Sequence, residues 1–251
     1  MAVLSPAQLD TLRCDLWFGA LPADLADALI AQGALRRLAH AQHLFFRGDA
    51  PDGIYAVLSG TLRVSGVTPS GKEALLALLD PPAWFGEIAL FDRLPRTHDA
   101  QACGEVAVLH VPQPALQAML RAQPDWWPHF GVLLALKTRL LMISHEGHAL
   151  ASQEGMLARR LLWMVRSSEA GFRLDKARLK INQETLGQML AMARQTVNRI
   201  LKDMEARGVL RVTYGTVEVL DIVRLADAAE LSVMERRVLQ HLTEGRVEPF
   251  M

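Results

Sequence analysis

The hydrophobic period of the chain changes near Pro128, from strand-like to helical, and that change limits the possible folds more than any other feature. Ahead of it, residues 35–112 carry short apolar stretches at Ile54–Leu58, Leu62–Val67, Ala74–Leu79 and Val106–Val111, set apart by Gly48, Gly53, Gly60, Gly71, Gly86 and Gly104 or by prolines. Short strands with a turn signal roughly every 8–12 residues predict a small all-β sandwich or barrel-like unit. Ser59–Gly60 and Ser70–Gly71 are expected hairpin or bulge positions, where glycine takes a positive φ at no steric cost. Further upstream, Pro6–Ala31 reads as helical through Leu9, Leu12, Leu16, Leu25, Leu29 and Ile30.

Beyond Pro128, the residues Leu133, Leu136, Leu140, Ile143, Gly147 and Leu150 recur at alternating intervals of three and four, which is an a/d seam. Such a narrow seam on one long helix predicts a parallel pair and hence a homodimer; the alternative is a helix packed on its own β unit. After Gln153 a helix-rich unit is expected. It has a helix over Met156–Arg166, a turn at Ser167–Gly171 and strand-like pieces within Phe172–Ile181. A short helix N-capped by Asn182 follows, then a break at Ala191–Ala193 and a second helix over Arg194–Arg207 stopped by Gly208. Val209–Tyr214 and Thr216–Leu220 around Gly215 then read as a hairpin. Two short helices followed by a hairpin are the layout of a winged helix-turn-helix. The expected domains are therefore residues 1–127, 128–151, 152–225 and a helical extension over 226–251 with a last helix at Leu231–Thr243.

Charge supports that division. The chain has no net charge, yet residues 156–224 carry 13 Lys/Arg against 7 Asp/Glu. A basic block inside a neutral chain points to a polyanion-binding module joined to something else, or to a solvated basic surface. No stretch approaches the roughly 20 apolar residues of a membrane span, and the N-terminus lacks a basic lead into an apolar core, so a cytoplasmic protein without a membrane partner is expected. Cys14 and Cys103 are too few for a disulfide scaffold or a four-thiolate site, and no metal is expected. No activated nucleophile or phosphate-cradling glycine loop is present, so the reading is not an enzyme.

One segment, Trp84-Phe-Gly-Glu-Ile-Ala-Leu-Phe-Asp-Arg-Leu-Pro-Arg-Thr-His98, sets Glu87 and Arg96 within an otherwise apolar β unit. A buried arginine needs a counter-ion, and Glu87 is the obvious protein candidate. The functional alternative has Arg96 gripping a phosphate with its planar donor fork while Glu87 accepts from a sugar hydroxyl. Gly86 would let the backbone approach the ligand, and Thr97 would add a hydroxyl beside the phosphate.

This pattern resembles the phosphate-binding cassette of the cyclic-AMP receptor protein / fumarate-nitrate regulator family of bacterial transcription regulators, and the resemblance spans roughly residues 35–222. It implies an α+β architecture: an N-terminal β-roll of the cyclic-nucleotide-binding fold, a long dimerisation helix and a C-terminal winged helix-turn-helix. It also implies a cyclic nucleotide effector, cyclic AMP or cyclic GMP, held by Gly86, Glu87, Arg96, Thr97 and His98, with Ile143 and Ser144 of the long helix near the purine. Ile143 stands where the receptors usually have a threonine that bonds adenine, and His98 where they have a small residue. A threonine directly after the phosphate arginine favours cyclic GMP in some relatives. Cyclic di-GMP, or no ligand at all, are the alternatives within the fold; a regulatory module of a larger assembly is the alternative outside it.

The segment Gln183–Glu205 is similar to the helix-turn-helix of the same family. Leu186, Leu190, Val197, Ile200 and Leu201 are expected to lock its two helices, leaving Arg194, Gln195, Asn198, Arg199 and Lys202 exposed. Arginine can take guanine bidentately and glutamine adenine, while Lys202, Thr196 and Gln183 are placed to hold phosphates. Gln195 replaces a common glutamate, Ala193 an N-capping serine, and Ala191 a frequent glycine. The implied partners are double-stranded DNA, a second copy of the chain and RNA polymerase.

Overall fold

The computed structural model describes residues 4–67, 73–167, 177–231 and 235–236. Two compact units divide at Arg139/Leu140, inside one long helix. In the first unit, the stretch expected as a single helix over Pro6–Ala31 is three: α1 (Pro6–Arg13), α2 (Leu16–Gly19) and α3 (Ala23–Gln32). Both breaks have local causes. Asp15 leaves helical geometry so that its carboxylate accepts the Phe18 amide at 2.8 Å, and Pro22, extended at the start of α3, has no amide to continue a helix.

The strands are β1 (Ala34–Leu38), β2 (His43–Phe45), β3 (Gly53–Ser59), β4 (Leu62–Val67), β5 (Glu73–Leu79) and β6 (Trp84–Phe85). The short helix α4 (Ile88–Asp92) precedes β7 (Asp99–Ala102) and β8 (Val106–Pro112), after which come α5 (Gln113–Ala122) and the long α6 (Trp127–Leu150). They form two antiparallel four-stranded sheets, ordered β1-β8-β3-β6 and β2-β7-β4-β5. The unbroken apolar runs of β3 and β8 are buried on both faces. Ile54, Ala56, Leu58, Ala107, Leu109 and Val111 pack under the helices with Trp17, Leu25, Leu116 and Phe130, while Tyr55, Val57, Val106 and Val108 point into the space between the sheets. Period-two side-chain geometry lets one strand serve two cores. Gly60 turns β3 into β4 at φ +76°, where a Cβ would stand 2.2 Å from the Glu105 carbonyl oxygen. The other expected turn, Ser70–Gly71, lies outside the described residues.

Along α6 the seam is divided. Leu133 packs with Phe130 in the helix–sheet core of its own chain, which corrects the expectation that the whole seam faces a second copy. Ile143 is buried, Leu136 and Leu140 are half-buried, and Leu141 and Met142 stand 69% and 66% exposed. The side chains of Gly147 and Leu150 fall outside the described residues.

The second unit holds α7 (Gln153–Ser167), β9 (Ala177–Leu179), α8 (Gln183–Leu190), α9 (Arg194–Ala206), β10 (Leu210–Thr213), β11 (Thr216–Val219) and α10 (Ile222–Ala228). Its three-stranded sheet is ordered β10-β11-β9. Helix α10 runs across residues 225 and 226, and the chain after it folds back on α7. Arg159 donates to the carbonyls of Ala229 at 2.7 Å and Glu230 at 2.6 Å, and to the buried carboxylate of Glu235. Glu230 accepts from the amide and hydroxyl of Ser152 at 3.1 and 2.6 Å, and the Ser152 hydroxyl oxygen accepts the Gly155 amide at 3.0 Å. Most of the helix expected over Leu231–Thr243 lies outside the described residues. Because Arg159 satisfies a buried acid and two carbonyls, Arg159→Ala is expected to lower the stability of this unit by about 3 kcal/mol, read as a shifted urea midpoint.

Candidate functional site

The first site is built where β6 ends. Gly86 has φ +94°, and a Cβ there would lie 2.9 Å from Arg96 Nη1 and 3.0 Å from the Gly53 carbonyl oxygen. Glu87 then opens α4, Arg93 closes it in the left-handed region at φ 57°, and Leu94–Pro95 bring the chain back to Arg96. The loop after β2 grips the Arg96 backbone: its amide donates to Asp49 O at 2.9 Å, and its carbonyl accepts the Gly48 amide at 2.8 Å. The Arg96 side chain is 4% exposed. Its Nη2 donates to Asp52 Oδ1 at 2.8 Å and to Gly53 O at 2.6 Å, Nη1 donates to Gly86 O at 3.3 Å, and the plane lies 4.5 Å over the Phe45 ring. Its Nε is buried with no hydrogen-bond partner.

The counter-ion of Arg96 is therefore Asp52 and not Glu87, so the ion pair that stood as the alternative to a ligand site is not formed. The reason is topological: the Asp52–Gly53 turn enters β3, and β3 pairs with β6 immediately before Gly86, so turn and cassette meet across a strand pair. Asp52 also accepts from the Tyr55 hydroxyl, and Arg36 lies 3.4 Å from its Oδ2. Burial pushes the Asp52 carboxyl upward, but the hydrogen bonds from Tyr55 and Arg96, with the charge of Arg96 and then that of His110, outweigh it and hold it below its ordinary value. His110 stacks on Tyr55 with centroids 4.6 Å apart, its Nε2 3.0 Å from the Asp52 carbonyl oxygen; burial pushes its pKa down.

Glu87 is 2% exposed and receives Lys137 Nζ from α6 at 2.7 Å. Thr97 is exposed, His98 is half-buried, and their Oγ1 and Nδ1 are 2.9 Å apart. Gly86, Glu87, Arg96, Thr97 and His98 thus belong to one unit. Ile143 and Ser144 lie past Arg139 in the other unit: Ile143 is buried there, and the Ser144 side chain is outside the described residues. Asp52, Tyr55, Lys137 and His110 were not foreseen. The only sequence sign of the first two was an acid in the turn ahead of an apolar strand carrying one tyrosine.

The second site is on α8 and α9. Asn182 caps α8 by accepting the Thr185 amide at 2.8 Å, and Gly187 is required because a Cβ would meet the Met192 carbonyl oxygen at 2.7 Å. Ala191 makes the turn in the left-handed region at φ 52°, and Ala193 starts α9 with no side-chain cap. Leu186, Leu190, Val197, Ile200 and Leu201 are all buried. Arg194, Gln195, Arg199 and Lys202 are exposed, with Arg199 3.7 Å from Asp203. Thr196 is half-buried. Asn198 departs from expectation: it is half-buried and donates to Gln183 Oε1 at 2.9 Å, so these two side chains bond to each other rather than both standing open. Among the described residues, no three His, Cys, Asp or Glu side chains cluster as metal ligands, and no helix is long and apolar enough to cross a membrane.

These two sites coincide with two domain families. Residues 35–123 match the cyclic nucleotide-binding domain and residues 156–228 the Crp-like helix-turn-helix domain. A cyclic-nucleotide-binding fold joined to a helix-turn-helix defines a class of ligand-linked regulators. The chain belongs to the CRP/FNR family of transcription regulators. It is 27% identical over 219 residues to the CRP-like cAMP-activated global transcriptional regulator of Mycobacterium tuberculosis, covering 86% of this chain and 97% of that protein. It is 27% identical over 214 residues to the cyclic AMP receptor protein of Thermus thermophilus, covering 85% and 96%. Among solved structures, FixK2 of Bradyrhizobium japonicum superposes with a TM-score of 0.71 at 16% identity, covering 80% of this chain and 99% of that one.

The depressed Asp52 pKa fixes a sign. Its contribution to stability is complete above the ordinary carboxyl value of roughly 3.9 and is lost as pH falls through the lower folded-state value. Asp52→Asn is expected to remove that component, so acid titration followed by circular dichroism should show a shallower loss of stability in the variant.

Proposed function

We propose that the chain is a homodimeric, cytoplasmic transcription regulator whose β-roll binds a cyclic nucleotide and whose α9 reads DNA, with no catalytic step of its own. The observation that carries the effector reading is the buried guanidinium of Arg96. It is fixed by Asp52 and the Gly53 and Gly86 carbonyls, keeps an unpartnered Nε, and lies with Nη1 close against Gly86, where a Cβ would stand 2.9 Å away. Such a group suits the oxygens of a cyclic phosphate, with the Thr97 hydroxyl beside it, Gly86 allowing close approach and Glu87 accepting from the ribose. Cyclic AMP is the preferred effector, in keeping with the names of both curated relatives, and cyclic GMP is second. His98 borders the phosphate.

Arg194, Gln195 and Arg199 are assigned to base edges, Lys202 and Thr196 to phosphates, and the bonded pair Asn198–Gln183 to the rim of the same surface. A helix pair between two copies along α6, beside whose seam Leu141 and Met142 leave apolar surface exposed, would set two recognition helices about 34 Å apart on a near-palindrome. The effector then acts by its differential affinity for two arrangements of the dimer, and RNA polymerase is the expected downstream partner.

Calorimetric titration with cyclic AMP, cyclic GMP and cyclic di-GMP tests the effector. Cyclic AMP should bind tightest, and Arg96→Gln should lose at least about tenfold in affinity, the equivalent of about 1.4 kcal/mol. Equal binding by wild type and variant would end the phosphate assignment. For DNA, Arg194→Ala should reduce preference for a selected operator by about 1–3 kcal/mol while salt-dependent nonspecific binding persists in gel shifts.

A further inference from the structure

His98 departs from the cassette pattern and has a titratable ring, a polar partner and a defined seat. Its Nδ1 lies 2.9 Å from Thr97 Oγ1, and its ring edge lies against Gly66 of β4, where a Cβ would stand 3.3 Å from Cδ2. A side chain at Gly66 would crowd this ring. Arg47 and Asp99 are the charged groups acting on it, and the Asp99 carboxylate is engaged by the Arg47 amide at 2.7 Å. Arg96, two residues earlier, is already neutralised by Asp52.

We propose that His98 makes nucleotide affinity depend on proton concentration, by setting both the charge and the hydrogen-bond direction beside the phosphate-facing Thr97. The proposal rests on the reading of the cassette as a cyclic nucleotide site. With the ring neutral and Nδ1 unprotonated, Nδ1 accepts the Thr97 hydroxyl proton, so that hydroxyl cannot donate to an anion. When the ring takes up a proton, Nδ1 donates to Oγ1 instead. The hydroxyl proton is released for a phosphate oxygen, and a positive charge stands beside a phosphodiester whose single negative charge is fixed. Burial and the nearby Arg47 hold the His98 pKa below the ordinary histidine value, so the free protein is in the neutral state at neutral pH. Bound anion raises that pKa. By linkage, the gain in affinity is complete below the free-state value and absent above the bound-state value.

The test is calorimetry of cyclic AMP on the full chain at about pH 8 and about pH 5.5, in buffers of different ionisation enthalpy. Wild type should bind about three- to tenfold tighter at the lower pH and take up protons on binding. His98→Gln, which keeps a polar group but no titration, should bind with a flat pH profile. Thr97→Ala should lose affinity at the lower pH while keeping part of the slope, because the charge remains. The same slope in His98→Gln as in wild type would assign it to another group, such as His110 beside Asp52, and would overturn the proposal. An identical Kd at both pH values in wild type would overturn it as well. Failure to bind at every pH would instead remove the nucleotide site itself, and the proposal with it.

Discussion

A guanidinium withdrawn from water dictates the arrangement of the first unit. Burying a cation costs several kcal/mol unless charge and hydrogen bonds are returned to it. Here Asp52, Gly53 O and Gly86 O return them, and the face of Phe45 covers the plane. Each partner places a demand on the fold. The Asp52–Gly53 turn must enter β3, β6 must pair with β3, and Gly86 must adopt a φ that a side chain would resist. The loop of Gly48 and Asp49 must reach the Arg96 backbone. Because the requirement is met from three separate segments, the cassette is pre-shaped by the β-roll rather than by α4, which is only five residues long.

A second buried charge is handled differently. Glu87 has its cation on α6, through Lys137, so one side of the cassette is tied to a helix that continues to Leu150. Arg96 is internal to the β-roll and Glu87 is not. The Arg96 guanidinium is held by β-roll groups alone, while the Glu87 carboxylate shares its charge with a residue of the long helix.

The DNA-reading unit is economical by comparison. Gly187 lets α8 approach the turn, Ala191 takes a left-handed conformation at some cost, and α9 starts without a side-chain cap. Its stability comes from the buried Leu186, Leu190, Val197, Ile200 and Leu201 and from the chain after α10, which returns to hold Arg159 and Ser152. Residues beyond the matched helix-turn-helix domain thus contribute to the frame that presents α9.

The four apolar strands at Ile54–Leu58, Leu62–Val67, Ala74–Leu79 and Val106–Val111, the N-cap at Asn182 and the buried stripe of the helix-turn-helix were legible from spacing, because they depend on neighbours in the chain. Two things were not. Pairing of buried charges is decided by which segments cross in space: Glu87 and Arg96 share a motif, yet each found its partner on a distant element, Lys137 and Asp52. The fate of a side chain on an exposed face is likewise set by what packs beside it, so Asn198 turned to Gln183 and Leu133 to its own core. Sequence alone determined which groups must be neutralised or buried, since the cost of leaving them otherwise belongs to the residue. Only the tertiary structure decided by whom, since that depends on strand register and loop reach, which no local pattern encodes.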